Sequence, residues 1–181
     1  MRIFVTGASG ELAREVSRQL IDGGHQVTGM IRRPSQTGTV ESDGAQALAA
    51  DPASAAEIER ALHIAEAEVI LNLAPQRANT LLHDGQGWRH QDERLPQQTA
   101  ALLQAANSAG VQYLLHGSYA FLYGSQEEGA ADLVDETTPV RRPAEDRLFA
   151  AAIESEKMVF GNKQFPVCIL RIGYLYGPQS R

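Results

Sequence analysis

A single cysteine, Cys168, excludes an internal disulfide and points to a reducing compartment. It lies in Val167-Cys168-Ile169-Leu170, where a packed strand residue is expected rather than a nucleophile. Positive charge is also in deficit. With 16 Lys and Arg against 22 Asp and Glu, the formal net charge of -6 and pI near 5.3 argue against a nucleic-acid backbone as the main partner. No apolar run is long enough to span a bilayer, so no membrane partner is expected either. A strand expected from Arg2 onward leaves no room for a signal peptide, and a cytoplasmic protein is the expectation. With 43% hydrophobic residues, 6% aromatics and no repeat or low-complexity tract, the 181 residues read as one globular domain.

What the chain does have appears at once. Arg2-Ile3-Phe4-Val5-Thr6-Gly7-Ala8-Ser9-Gly10-Glu11-Leu12-Ala13 is an apolar run that breaks into a Gly-Ala-Ser-Gly turn and becomes helical. Such a turn suits a dinucleotide pyrophosphate, because glycines permit a tight bend and the helix presents its amide-rich end. Gly turns also join strands to helices without any ligand. Further strands are expected at 26–31, 45–50, 68–73, 111–116 and 165–171, with helices at 11–21, 53–63, 92–109 and 143–160. Residues 75–91, with Gly85 and Gly87, read as a mobile loop over the sheet edge. Alternation of this kind implies an α/β, Rossmann-type doubly wound parallel sheet with strand order 3-2-1-4-5-6. A ligand in such a sheet lies at the carboxyl ends of the strands, where Thr6 to Gly10, Arg32, Asp51, Ala74 and Ser118 all fall.

These pieces resemble the short-chain dehydrogenase/reductase superfamily, in particular its extended, NAD-dependent epimerase/dehydratase type. The resemblance runs through Thr6 to Ala13, Asp51, Leu73-Ala74, Leu102-Leu103-Gln104-Ala105-Ala106, Ala109-Gly110-Val111 and Ser118 with Tyr123-Gly124, and it closes with Leu170-Arg171 and Tyr176-Gly177-Pro178. It implies that Gly7, Ser9, Gly10, Glu11 and Leu12 hold the pyrophosphate, with Ala13 in place of a third glycine. It also implies that Asp51 accepts from the adenine amino group, that Ala74 backs the adenosine ribose and that Ser118 lies near the nicotinamide ribose. Pro52 and Leu73, next to these, count with the cofactor contacts. Taken without the family, Asp51-Pro52 is equally a helix start.

Charge bears on the choice of cofactor. A carboxylate at the end of the second strand chelates the ribose hydroxyls of NAD, whereas this chain reads Met30-Ile31-Arg32-Arg33-Pro34. Guanidinium groups suit a phosphate, so NADP is expected over NAD. A solvated arginine pair is the plain alternative.

The chemistry departs from the family. Its active members use a tyrosine with a lysine four residues later, and here the only lysines, Lys157 and Lys163, follow Ile153 and Val159 at that spacing. Aligned on Glu156, the two sites hold Leu148 and Ala152; Tyr119 replaces the usual serine or threonine, Leu95 an asparagine, and Ile172 a proline. Loss of acid and base groups typically costs about 10²- to 10⁴-fold. Tyr119 is the substitute candidate, against an aromatic that simply packs, with Tyr123, Tyr174 and His116 more remote. His83 and His90, flanking Trp88, lack the carboxylate or cysteine companions of a metal site, so no metal is expected. The resemblance places a substrate domain after Tyr176-Gly177-Pro178, and most of it is expected to be missing from a truncated chain. Two function classes follow: an atypical oxidoreductase acting on an unidentified small molecule, and a non-catalytic NADP(H)-binding sensor or partner-docking protein. Oligomeric state stays open, a homo-oligomer included.

Overall fold

The computed structural model describes residues 1–74, 94–123, 134–140, 147–173 and 175–176. Strand β1 (Arg2–Thr6) leads into helix α1 (Glu11–Asp22), then β2 (Gln26–Ile31), a 3-10 turn (Pro34–Gln36), α2 (Thr37–Glu41) and β3 (Gln46–Ala49). Next come α3 (Ala55–Ile64), β4 (Val69–Asn72), α4 (Leu95–Ala109), β5 (Tyr113–Tyr119) with a 3-10 turn at Ala120–Tyr123, α5 (Arg147–Gly161) and β6 (Val167–Ile172). All six strands run parallel in the order β3-β2-β1-β4-β5-β6, as the sequence implies.

Alternation along the strands builds two cores. Phe4, Met30, Ile70 and Leu114 face α3, α4 and Val159 of α5, while Ile3, Val5, Val27, Ile31 and Leu71 face Ala13 of α1 and Val40 of α2. Helices on both faces cover the strands, and this is why Ile3-Phe4-Val5 of β1 and Val69-Ile70-Leu71 of β4 are continuous apolar runs. Local signals set the helix ends. Gly23 and Gly24 close α1, where the Gly24 φ of 81° and the His25 amide donating to the Leu20 carbonyl at 3.0 Å take up the last carbonyls. Gly110, at φ 71°, stops α4 in the same left-handed conformation.

The structure differs from the sequence reading at the end of β5, at the start of α3 and between β2 and β3. β5 runs on to Tyr119 because β6 pairs with it there, Ser118 opposite Arg171 and Tyr119 opposite Ile172. The cap of α3 is Ser54, whose side chain accepts from the Glu57 amide, and Asp51 sits three residues earlier. The 3-10 turn and α2 carry no helical periodicity, being short, Thr- and Gly-containing and anchored by Val40 alone. The expected loop at 75–91, with His83, Trp88 and His90, lies outside the described residues, as do the expected helix starts at 92–93 and 143–146.

Candidate functional site

The carboxyl ends of the strands gather most of the residues expected there. The turn after β1 is fixed by its own backbone, with the Gly10 amide donating to the Gly7 carbonyl at 2.9 Å. Gly7 has φ 68°, and a Cβ on it would stand 2.7 Å from the Ala74 Cα and 2.8 Å from the Ala74 nitrogen. Its missing side chain therefore makes room for the end of β4. Ala8 is seated in the same way, since a Cβ on Gly29 would approach the Ala8 Cβ to 2.6 Å. Gly10 caps α1 without any side-chain hydrogen bond, which leaves the amides of the first turn for an anion. Ala13 is 1% exposed where helix meets sheet, as a third small residue requires.

Beneath the turn runs a buried polar chain. The Thr6 hydroxyl donates to Asn72 Oδ1, and Asn72 Nδ2 lies 2.9 Å from His116 Nδ1. An amide nitrogen only donates, so His116 Nδ1 accepts and the imidazole is neutral. The Ala74 amide completes the chain by donating to the Thr6 Oγ1 at 3.4 Å. Burial pushes the His116 pKa down from 6.5 to about 4, against a weaker upward pull from Glu156. His116 thus serves as a structural acceptor under the turn.

An acid sensitivity follows from that depressed value. Between pH 6.5 and 4 the unfolded chain takes up a proton that the folded protein refuses. Stability is therefore complete above about pH 6.5 and lost as pH falls toward 4, by about 3 kcal/mol over the whole shift. Asp43, held down by Arg14, and Glu68, held down by the Arg2 amide, add losses that begin only below their ordinary values of 3.8 and 4.5. Urea unfolding at pH 7 and pH 4.5 should show the difference, and His116→Gln should flatten it. An equally steep wild-type and variant profile would rule the explanation out.

Beside the turn, the ends of β1, β2 and β4 border a further part of the crevice. A cavity of about 20 Å3, the size of one water, is walled by Met30, Pro52, Ile58, Ala74, Leu95 and neighbouring residues, so Pro52 and Ala74 do meet. Leu73 is buried, and its amide donates to the Thr6 carbonyl at 3.3 Å. The Asp51 carboxylate accepts from the Ala53 amide at 2.9 Å in the turn before α3 and stays exposed. Arg32 and Arg33 leave the end of β2 exposed. Sequence reasoning missed Gln36. Its Oε1 accepts from the Arg32 and Arg33 amides, both at 3.1 Å, and its Nε2 donates to the Ser9 Oγ at 2.6 Å. The spacing of three residues from Arg33 to Gln36 is that of a capping box, the one signal that could have found it.

On the far side, Ser118 is buried at the end of β5. Tyr119 is 7% exposed and packs with Leu122 and Ala152, with Leu95, Ile153 and Val140 around them. Ala152 thus sits against an aromatic ring in an apolar cluster. One turn further along α5, the buried Glu156 takes both Arg171 Nε and Nη2, at 3.0 and 2.7 Å, and the guanidinium lies 4.8 Å from the centre of the Tyr123 ring. The hydrogen bond to Glu156 drives the Arg171 pKa higher still. Among the described residues no three His, Cys, Asp or Glu side chains converge as a metal site, and no helix is long and apolar enough to cross a membrane.

A family model described as NAD(P)H-binding matches residues 7–179, nearly the whole chain. The chain belongs to this NAD(P)H-binding family. Its relatives bear out the resemblance to short-chain dehydrogenase/reductase epimerases and reductases. A 3-diazoavenalumate denitrifying reductase of Streptomyces is 29% identical over 98% of this chain and 57% of its own length. A probable UDP-glucuronate 4-epimerase of Rhizobium meliloti is 26% identical over 100% of this chain and 55% of its own. The chain therefore spans little more than half of either relative. Among solved structures, a Thermus thermophilus UDP-glucose 4-epimerase in complex with NAD superposes with a TM-score of 0.80 at 23% identity, over 100% of this chain and 58% of that one. At that identity the likeness establishes the fold of this NAD(P)H-binding protein.

Proposed function

We propose that the chain is the cofactor-binding unit of an atypical NADP(H)-dependent oxidoreductase of the epimerase/dehydratase type. The observation that carries the preference is the end of β2, where Arg32 and Arg33 stand in place of a carboxylate and are joined through Gln36 to the glycine turn. The residues fit a dinucleotide: Gly7 and Gly29 let the turn sit close to β4 and β2, and the α1 amides are uncapped by side chains. Gly7, Ser9, Gly10, Glu11 and Leu12 line the pyrophosphate side of this reading, with Asp51, Pro52, Leu73 and Ala74 on the adenosine side and Ser118 toward the nicotinamide. When bound, the nicotinamide supplies or takes up a hydride at a carbon bearing oxygen. The protein's part is to orient the two. Leu148 and Ala152 at the usual acid-base positions leave Tyr119 as the phenol nearest to that role, although its ring is packed among apolar side chains.

Fluorescence titration tests the reading. The wild type should bind NADPH at least about tenfold more tightly than NADH, since one charge-assisted hydrogen bond contributes roughly 1.5 to 3 kcal/mol. Arg32→Glu and Arg33→Glu should each erode that preference, and an unchanged ratio in both would count against it. The apolar packing of Tyr119 on Ala152 favours a second reading, an NADP(H) sensor without turnover. Tight NADPH binding with no turnover across a panel of carbonyl compounds would select it.

A further inference from the structure

Gln36 ties together two loops that separate strands deliver to the same place. Ser9 lies in the turn after β1, and Arg32 and Arg33 lie beyond β2. The side-chain hydrogen bonds of Gln36 go to these two loops: the carbonyl takes both arginine amides and the NH2 group reaches Ser9. A hydroxyl that accepts a hydrogen bond from Gln36 Nε2 still has its own proton to give. That proton is free to go to a ligand acceptor in front of the turn. A carboxylate at the same position would accept from the two backbone amides equally well. Its second oxygen would then compete for the Ser9 proton and add a negative charge.

The geometry points to Gln36 as a specificity-determining positioning residue: it orients the Ser9 hydroxyl and fixes the Arg32-Arg33 backbone so that both address the phosphate on the adenosine ribose. This rests on the NADP reading above and deepens it. Gln36 acts through Ser9 and the two arginines. Its effect therefore falls on the ratio of the two affinities, whereas simple damage to the turn weakens NADPH and NADH alike and leaves the ratio where it was.

The test measures dissociation constants for NADPH and NADH by fluorescence, beside thermal midpoints, for the wild type, Gln36→Glu, Gln36→Met, Ser9→Ala and the Gln36→Met/Ser9→Ala double variant. Gln36→Glu should cut the NADPH-over-NADH preference by about tenfold or more, the scale of one hydrogen bond to a charged group. Gln36→Met should also reduce it, and adding Ser9→Ala should lower it less than the two single effects combined, because the residues act in series. Should Gln36→Glu fail to fold, the Met series alone decides. A wild type that prefers NADPH, with both Gln36 variants keeping its ratio, overturns this inference and spares the cofactor reading. Fully additive losses in the double variant also overturn it. A wild type that binds both coenzymes equally overturns the reading and the inference together.

Discussion

Gly7→Ala is expected to unseat the glycine turn and remove measurable coenzyme binding, at a cost of on the order of 3 kcal/mol in stability. Two penalties combine. A side chain at φ 68° is strained wherever it points, and this one points at backbone, 2.7 Å from the Ala74 Cα and 2.8 Å from its nitrogen. Backbone cannot rotate out of the way as a flexible side chain does. Either β4 retreats, which pulls on the Ala74 amide and the Thr6–Asn72 link, or the turn opens and the first amides of α1 move. Thermal unfolding should drop by roughly 6 to 12 °C for a chain of this size, and NADPH should leave the fluorescence of the variant unchanged. Gly10→Ala is the control. A Cβ there meets only the Gly7 carbonyl oxygen, at 3.1 Å, so its cost should be distinctly smaller. Equal losses for the two variants would show that the close approach of β4 is not what Gly7 serves.

The second large effect concerns the pair joining α5 to β6. Glu156→Ala strips the buried carboxylate from Arg171, whose guanidinium is then left with the face of Tyr123 and a side chain only 24% exposed. Breaking one partner out of a buried pair commonly costs 3 to 5 kcal/mol, and the partial exposure of Arg171 sets the expectation at about 3 kcal/mol. The denaturant midpoint should fall with little change in slope. Replacing both partners by apolar residues, Glu156→Leu with Arg171→Met, should recover much of the loss, because no charge is then stranded. A double variant no better than Glu156→Ala would refute this account. Glu156 also exerts the upward pull on His116, so its removal should lower that imidazole's pKa further.

Strand order and the place of the crevice were legible because the apolar runs, Gly23-Gly24 and Gly110 mark element ends through local backbone requirements. Ala13 was legible for the same reason: a small residue is needed wherever a helix crosses a strand closely. Partnerships across the chain were not. Thr6, Asn72 and His116 stand 66 and 44 residues apart in sequence, and no spacing rule links three polar residues on three strands. Glu156 and Arg171 each stood out singly, but their pairing depends on α5 crossing back over β6. Gly7 reads in the sequence as a residue that permits a tight bend, and the structure adds that its missing side chain gives way to the end of β4. Asp51 reads as a helix start, and the cap falls three residues later because Ser54 has Glu57 at the spacing a cap needs.

The seating of the first turn on β4 bears on the order of events during synthesis. Residues 7–13 leave the ribosome before the residues whose contacts shape them, Asn72 and Ala74, and before His116, which braces Asn72. Because a parallel strand pair requires a long crossover, β1 must wait beside β2 until β4 emerges. Until β4 has emerged, the chain therefore carries the whole glycine signature without the contacts from Asn72 and Ala74 that seat it.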